Sequence, residues 1–409
     1  MSESGSPAEP GPPRESPGRI FLRFLRFGAL AWGGPVAQIA MIRRELVEEE
    51  RWIPPERFNR TLAVYQVLPG PEAHELCVYF GMIAGGRTGG LLAGLGFLLP
   101  GLVLMLVLSW FYVSIGLASP TVAALFAGAQ AGVVALVTRA VHRIGAGALR
   151  DAWLLGLAAL AAVLELAGVH FAFSLSLCGA AYVLRKRPLW LAALAVAVLA
   201  GGAVFYSARV RAAPPPARSA TAATPSAAPA PAGPSVGAIL GSGFKSGLLT
   251  FGGAYTAIPF VRRDAVERGG WLTDGQFLDG LALGGILPAP LIIFGTFVGY
   301  VAGGLPGALA MTLGIFLPAF AITLVGHAAL ERLVENRALH DVLDGITAGV
   351  VGIIASTTVQ LFRAGVQTLP QVVIFVAALA VLYLWTSKAA VAAVVLGAAL
   401  LGLLLSGAA

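Results

Sequence analysis

Charge is what this chain has least of. Lys, Arg, Asp and Glu make up 11% of its 409 residues, against roughly 25% in a soluble globular protein. With 57% hydrophobic residues and a mean hydropathy of +0.84, it has too few polar groups to cover a water-soluble surface. Cysteine is equally scarce. Cys77 and Cys178 both lie inside apolar runs, which reads as two small buried hydrophobes and excludes a disulfide framework. The five histidines are scattered. The Glu72-x-His74-Glu75 spacing has no further ligands near it, so no metal site and no cofactor are expected. A Gly-rich phosphate loop between a strand and a helix is missing, which argues against an enzyme or pump that uses nucleotides. No basic face interleaved with aromatics suggests nucleic acid. The net charge of +7 is assigned instead to loops that set membrane topology.

What the sequence has is long apolar runs. About 20 such residues cross a bilayer core of roughly 30 Å. Residues 1–18, rich in Ser, Glu, Gly and Pro, read as a disordered tail, and 207–236 as a Pro/Ala linker. The first unit, 19–206, holds about seven expected spans, near 22–42, 60–84, 91–117, 121–142, 152–167, 169–184 and 188–206. The second, 237–409, holds about six, near 237–261, 276–302, 306–329, 341–362, 370–385 and 388–406. The expected fold is therefore all-α and polytopic, with about 13 transmembrane segments.

The two units are copies. At a fixed offset of 219, residues 24–71 align with 243–290 without a gap, and 16 of the 48 positions are identical. They include Arg43/Arg262, Arg44/Arg263, Glu48/Glu267, Trp52/Trp271, Pro69/Pro288 and Pro71/Pro290. Apolar composition alone does not put Arg, Trp and Pro in register. At an offset of 218, Gly85/Gly303, Gly89/Gly307 and Pro100/Pro318 continue the match. An odd number of spans before the repeat restarts inverts the second copy. A placement with Arg87, Arg139, Arg143, Arg150 and the 185–187 loop inside fits the positive-inside bias moderately. Inverted repeats are a recurring build of secondary transporters, with the substrate near the midplane.

The repeated words suggest where. Gly33-Gly34-Pro35 is answered by Gly252-Gly253-Ala254, and Leu68-Pro69-Gly70-Pro71 by Leu287-Pro288-Ala289-Pro290. Adjacent glycines weaken a helix by about 1 kcal/mol each. Broken helices at membrane depth are tolerated where they line a cavity, and a helix N-terminus receives anions. The expected substrate-binding set is Gly33, Gly34, Pro35, Gln38, Arg43, Pro69, Gly70, Pro71, Gly252, Gly253, Tyr255, Arg262, Pro288 and Pro290. Arg26 and Lys245 form an expected electrostatic funnel. Glu72, His74 and Glu75, present in the first unit only, are candidate proton carriers. The competing readings are close packing at the Gly and Pro positions, snorkelling for Arg26 and Lys245, and solvated ion pairs for the arginine pairs.

The wording WGGP, LPGP and FLLP in the first unit, with FGGAYTAIPF, GGWLTDGQFLDGLALGGILPAP, FVGYVAGGLPGA and IFLP in the second, resembles the chromate ion transporter superfamily in its two-domain, long-chain form. The resemblance spans nearly the whole chain outside tail and linker. It implies a multi-pass protein of the cell inner membrane that exports chromate, with sulfate as isosteric competitor, and no enzymatic activity. The expected partners are thus a small inorganic anion and the lipid bilayer, and a homodimer is compatible with this reading. An oxyanion importer and an anion channel on the same scaffold are the alternatives.

Overall fold

The computed structural model describes residues 14–115, 119–194, 196, 233–251, 253–334, 337–385, 387 and 389–406. Helices dominate. The first unit contains α1 (Pro17–Ala29), α2 (Gly34–Ile42), α3 (Pro55–Val67), α4 (Glu72–Ile115), α5 (Pro120–Ala148), α6 (Ala152–Leu166) and α7 (Phe171–Leu184). The second contains α8 (Val236–Leu248), α9 (Ile258–Arg262), α10 (Asp274–Gly285), α11 (Phe294–Val334), α12 (Arg337–Gly365), α13 (Leu369–Leu384) and α14 (Ala390–Ser406). Residues 188–194 are helical. Most of the expected span 188–206, the linker and residues 1–13 of the tail lie outside the described residues.

Two expected spans are corrected in each unit. The run 22–42 is two helices, because α1 stops at Ala29 and α2 starts at Gly34. Gly33 and Gly34 there have φ of 89° and 77°, a left-handed backbone that only glycine adopts at little cost. The run 60–84 is not continuous either. α3 ends at Val67, the chain is extended through Leu68, and α4 begins at Glu72. In the second unit the run 237–261 is interrupted between α8, which ends at Leu248, and α9, which starts at Ile258, and the run 276–302 breaks between α10 and a 3₁₀ turn at Leu291–Ile293 that leads into α11.

α4 and α11 turn in the gaps between the expected spans 60–84 and 91–117 and between 276–302 and 306–329. Each is a helical hairpin. Gly85 and Gly86 have φ/ψ of −147/22° and 64/−158°, and Gly303 and Gly304 repeat this at −155/26° and 62/−154°. The arms fold back on each other closely. A Cβ at Gly81 would lie 2.4 Å from the Gly89 carbonyl oxygen, and one at Gly299 would lie 2.3 Å from that of Gly307. Glycine is thus required at both crossings. The leading arm 72–84 is only about 20 Å long at 1.5 Å per residue, short of the bilayer core. Among the described residues four stretches are long and apolar enough to cross a membrane: Glu72–Ser114, Pro120–Ala148, Leu291–Gly326 and His340–Gly365. Ala152–Leu166, Phe171–Leu184, Leu369–Leu384 and Ala390–Leu405 are apolar but shorter.

The duplication is visible in packing as well as in sequence. α1 runs along α4, and α8 along α11. Gly28 abuts the Phe97 carbonyl, and Gly247 abuts that of Ile315; Ile20 contacts Gly85, and Ile239 contacts Gly303. In both units the helix after the first break passes into a π-helical turn, Arg43–Glu49 and Arg263–Arg268. Around the first hairpin, Ile20, Phe24, Phe27, Trp52, Phe58, Phe80 and Phe97 form a dry core. Outward, Leu91, Leu95, Leu99, Val103 and Val107 form an exposed ladder on α4, as Leu305, Leu309, Leu313 and Leu317 do on α11. Such apolar faces are tolerable in lipid but not in water. The chain is a polytopic α-helical membrane protein.

Candidate functional site

A cavity of about 520 Å³ opens between the units, within the roughly 300–1,000 Å³ of small-molecule sites. Its wall is built from the first break (Gly33, Gly34, Pro35), the end of α3 (Ala63, Gln66), the start of α4 (Glu72), one face of α5 (Leu136, Arg139, Ala140, Arg143, Gly147), the turn at Gly253 and Tyr255, and α12 (His340, Asp344, Thr347). The interrupted helices α1–α2 and α8–α9 therefore bring their break points to one space. A short backbone bridge ties the α3–α4 break to the α8–α9 break, since Pro69 pairs with Phe251 and the Gly70 amide donates to the Thr250 carbonyl at 2.8 Å.

The cavity's cations are the informative feature. Arg139 and Arg143 stand four residues apart and so share one helix face. Neither makes a hydrogen bond or an ion pair with another described residue. Arg143 acts electrostatically on Glu72, and both arginines act on Tyr255. The third cavity arginine, Arg150, lies 3.7 Å from Asp344. Nearby, Arg185 pairs with Asp341 at 3.0 Å, and Tyr182 donates to Asp151 at 2.8 Å. Asp151 caps α6 by accepting from the Leu154 amide, which holds its carboxyl below the usual carboxylate range. The two guanidiniums, Arg139 half-buried and Arg143 exposed, have no partner among the described residues and are suited to receive an anion, and the adjacent N-terminus of α2 adds a positive dipole end.

The residues expected from the sequence divide into three groups. Gly33, Gly34, Pro35, Gly253, Tyr255 and Glu72 line the cavity. Gly252 lies outside the described residues. The rest stand elsewhere. Gln38 is buried and donates to the Ala31 carbonyl at 2.9 Å. Pro69, Gly70 and Pro71 shape the bridge and the entry to α4. Pro288 and Pro290 are buried, with the intervening Ala289 packed on Gly101 of α4. The duplicated charges are joined in duplicated ion pairs. Arg26 pairs with Glu45 and Lys245 with Asp264; Arg43 pairs with Glu48 and Arg262 with Glu267. Each pair ties the π turn to itself or to the preceding helix, away from the cavity. Arg262 also donates to Asp274 at 2.9 Å and to Gln360.

His74 and Glu75 are fully buried behind the cavity wall. The His74 ring packs against Phe97, Phe316 and Phe320, with the Gly94 backbone beside it. The Glu75 carboxylate turns back under Gly70, where a Cβ would lie 2.7 Å from its Oε1.

Sequence reasoning missed Arg139 and Arg143 as site residues. It placed both on the inner side, Arg139 near the end of a span closing at 142 and Arg143 just beyond it, whereas α5 continues to Ala148. They also have no counterpart in the second unit, so the repeat could not single them out. The available signal was two arginines at helical spacing beside a long apolar run.

Comparison with known proteins follows the same lines. The family described as Chromate transporter matches residues 18–210 and 238–403. A chromate transport protein of Pseudomonas aeruginosa is 53% identical over 96% of this chain and 93% of its own. A chromate transport protein of Cupriavidus metallidurans is 29% identical over 94% and 92%, and a probable chromate transport protein of Synechococcus elongatus is 29% identical over 87% of each. No solved structure matches the chain.

Proposed function

The chain belongs to the chromate transporter family, and from that premise we propose that it carries chromate across the cell inner membrane as a secondary transporter. The observation that carries the reading is the pair of unpartnered guanidiniums, Arg139 and Arg143, in a cavity bounded by broken helices from both units. A tetrahedral dianion offers four oxygens to donors from several directions. Arg139 and Arg143 supply charge and forked donors from α5. The first turn of α2 after Gly34 supplies backbone N–H groups at a positive helix end, and Tyr255 supplies a hydroxyl. Sulfate has the same shape and charge and competes for the site.

The two units act as inverted repeats, and their relative movement exposes the cavity to each side in turn. Support comes from the repeated backbone geometry of the breaks, the hairpin tips and the π turns. Gly86 and Gly304, with no room for other residues' backbone preferences at φ near 60°, hold the hairpins as rigid units around the site. The expected direction is export, driven by an ion gradient or the membrane potential.

Accumulation of radiolabelled chromate in a sensitive bacterial host tests this. Cells expressing the protein should accumulate less chromate than cells with an empty vector, and an uncoupler should abolish the difference. Higher accumulation, competed by sulfate, would replace export by import. Equal accumulation in both would overturn chromate as the cargo.

A further inference from the structure

The cavity also contains an acid. Glu72 is the first residue of α4, is 7% exposed, and lines the same wall as Arg139 and Arg143. It has no ion pair or hydrogen bond to another described residue, although Arg143 is close enough to influence it. The groups that face it can be named element by element. α5 presents Arg139, Arg143 and Arg150, the 253–255 turn presents Tyr255, and α12 presents His340 and Asp344. On α4 itself His74 and Glu75 are buried in the packed interior, with the Glu75 carboxyl near enough to Glu72 to feel its charge. Asp344 and Arg150 are paired with each other and cancel.

The inner wall therefore holds two positive charges and one negative charge when Glu72 is ionised. That surplus of one matches a monoanion. A bound dianion would leave one uncompensated negative charge, beside a carboxylate that repels it. If Glu72 is protonated, the surplus is two and the dianion is matched.

Resting on the transport reading above, we infer that Glu72 takes up one proton with each dianion bound, so that the translocated complex is one dianion plus one proton with a net charge of −1. The proton enters Glu72 from the side on which the anion enters and leaves with it on the other side. Anion and proton thus move in the same direction. Glu72 sets the electrical stoichiometry of transport, and an inside-negative membrane potential drives the complex outward.

The test uses the full-length protein in proteoliposomes, with chromate flux measured by radiolabel, internal pH by a trapped dye and voltage set by a potassium gradient with valinomycin. Wild-type protein should move one proton per chromate. With no pH gradient, its flux should reverse at a tenfold chromate gradient for each 59 mV. Glu72→Gln should move chromate without protons, and its reversal should require a hundredfold gradient at the same voltage. Glu72→Asp should keep the wild-type ratio.

A proton ratio of zero in the wild type would overturn the inference, and that number decides even if Glu72→Gln is inactive. A ratio of one that survives in Glu72→Gln would also overturn it, since the proton would then ride on the anion or on another residue. Absence of any chromate flux in the wild type would instead overturn the transport reading.

Discussion

Arg143→Gln is expected to lower chromate affinity at least tenfold, and the double substitution Arg139→Gln/Arg143→Gln to abolish saturable binding. Hydrogen bonds to charged groups contribute about 1.5–3 kcal/mol each, and every 1.4 kcal/mol is a factor of about ten. The effect should be large here because no described residue competes for these two guanidiniums. Gln keeps most of the side-chain length and its amide donors but removes the charge. Equilibrium dialysis of radiolabelled chromate against the purified protein measures it. Arg26→Gln and Arg43→Gln are the matched controls. Their partners Glu45 and Glu48 keep them away from the cavity, and exposed ion pairs of this kind contribute only about 0–1 kcal/mol to stability. Both controls should bind chromate with wild-type affinity. A tenfold loss in Arg43→Gln with none in Arg143→Gln would move the site to the duplicated arginines.

The second large effect concerns stability. Arg262→Ala should destabilise the protein by about 2–3 kcal/mol, whereas Arg43→Ala, the same position in the other copy, should cost no more than about 1 kcal/mol. The sequence is nearly the same around both, but the surroundings differ. The Arg262 side chain is 8% exposed, and it joins Glu267, Asp274 and Gln360. That of Arg43 is 43% exposed and pairs with Glu48 alone. Removing one member of a fully buried pair costs roughly 3–5 kcal/mol. Glu267 and Asp274 are 39% and 37% exposed, so water replaces part of what Arg262 supplied, which lowers the expected loss. Arg262→Lys should recover little, because an ammonium cannot bridge partners on three elements as a planar guanidinium does. Thermal unfolding of the two alanine variants in the same detergent compares them directly. Equal destabilisation would show that the two copies do the same structural work.

This contrast also shows how far the sequence could be read. Repetition at an offset of 219 located the helix breaks, because Gly-Gly and Pro pairs act on the backbone locally and need no tertiary partner. Gly33, Gly34 and Gly253 accordingly reach the cavity. The turns at Gly85–Gly86 and Gly303–Gly304 fall in the gaps between the expected spans 60–84 and 91–117 and between 276–302 and 306–329. That the arms fold back in contact was not legible, because span lengths do not report packing, and only the contact of Gly81 with Gly89 reveals it.

Charged residues misled for a related reason. Repetition marks what both units need, and what both need here is an ion pair that fixes the π turn, Arg26–Glu45 in one and Lys245–Asp264 in the other. A single substrate between two units does not require each residue twice. Arg139, Arg143 and Glu72 each stand in one unit only, opposite Thr357, Leu361 and Leu291 at the corresponding offsets. On the proposed reading, the binding chemistry lies where the symmetry fails.

The most direct measurement is an electron cryo-microscopy map of the purified protein with tungstate, a heavy tetrahedral dianion that stands in for chromate. One strong peak is expected in the cavity, within hydrogen-bond reach of Arg139 and Arg143 and facing the first turn of α2. A peak against Lys245 and Arg268, with nothing between Arg143 and Glu72, would contradict it.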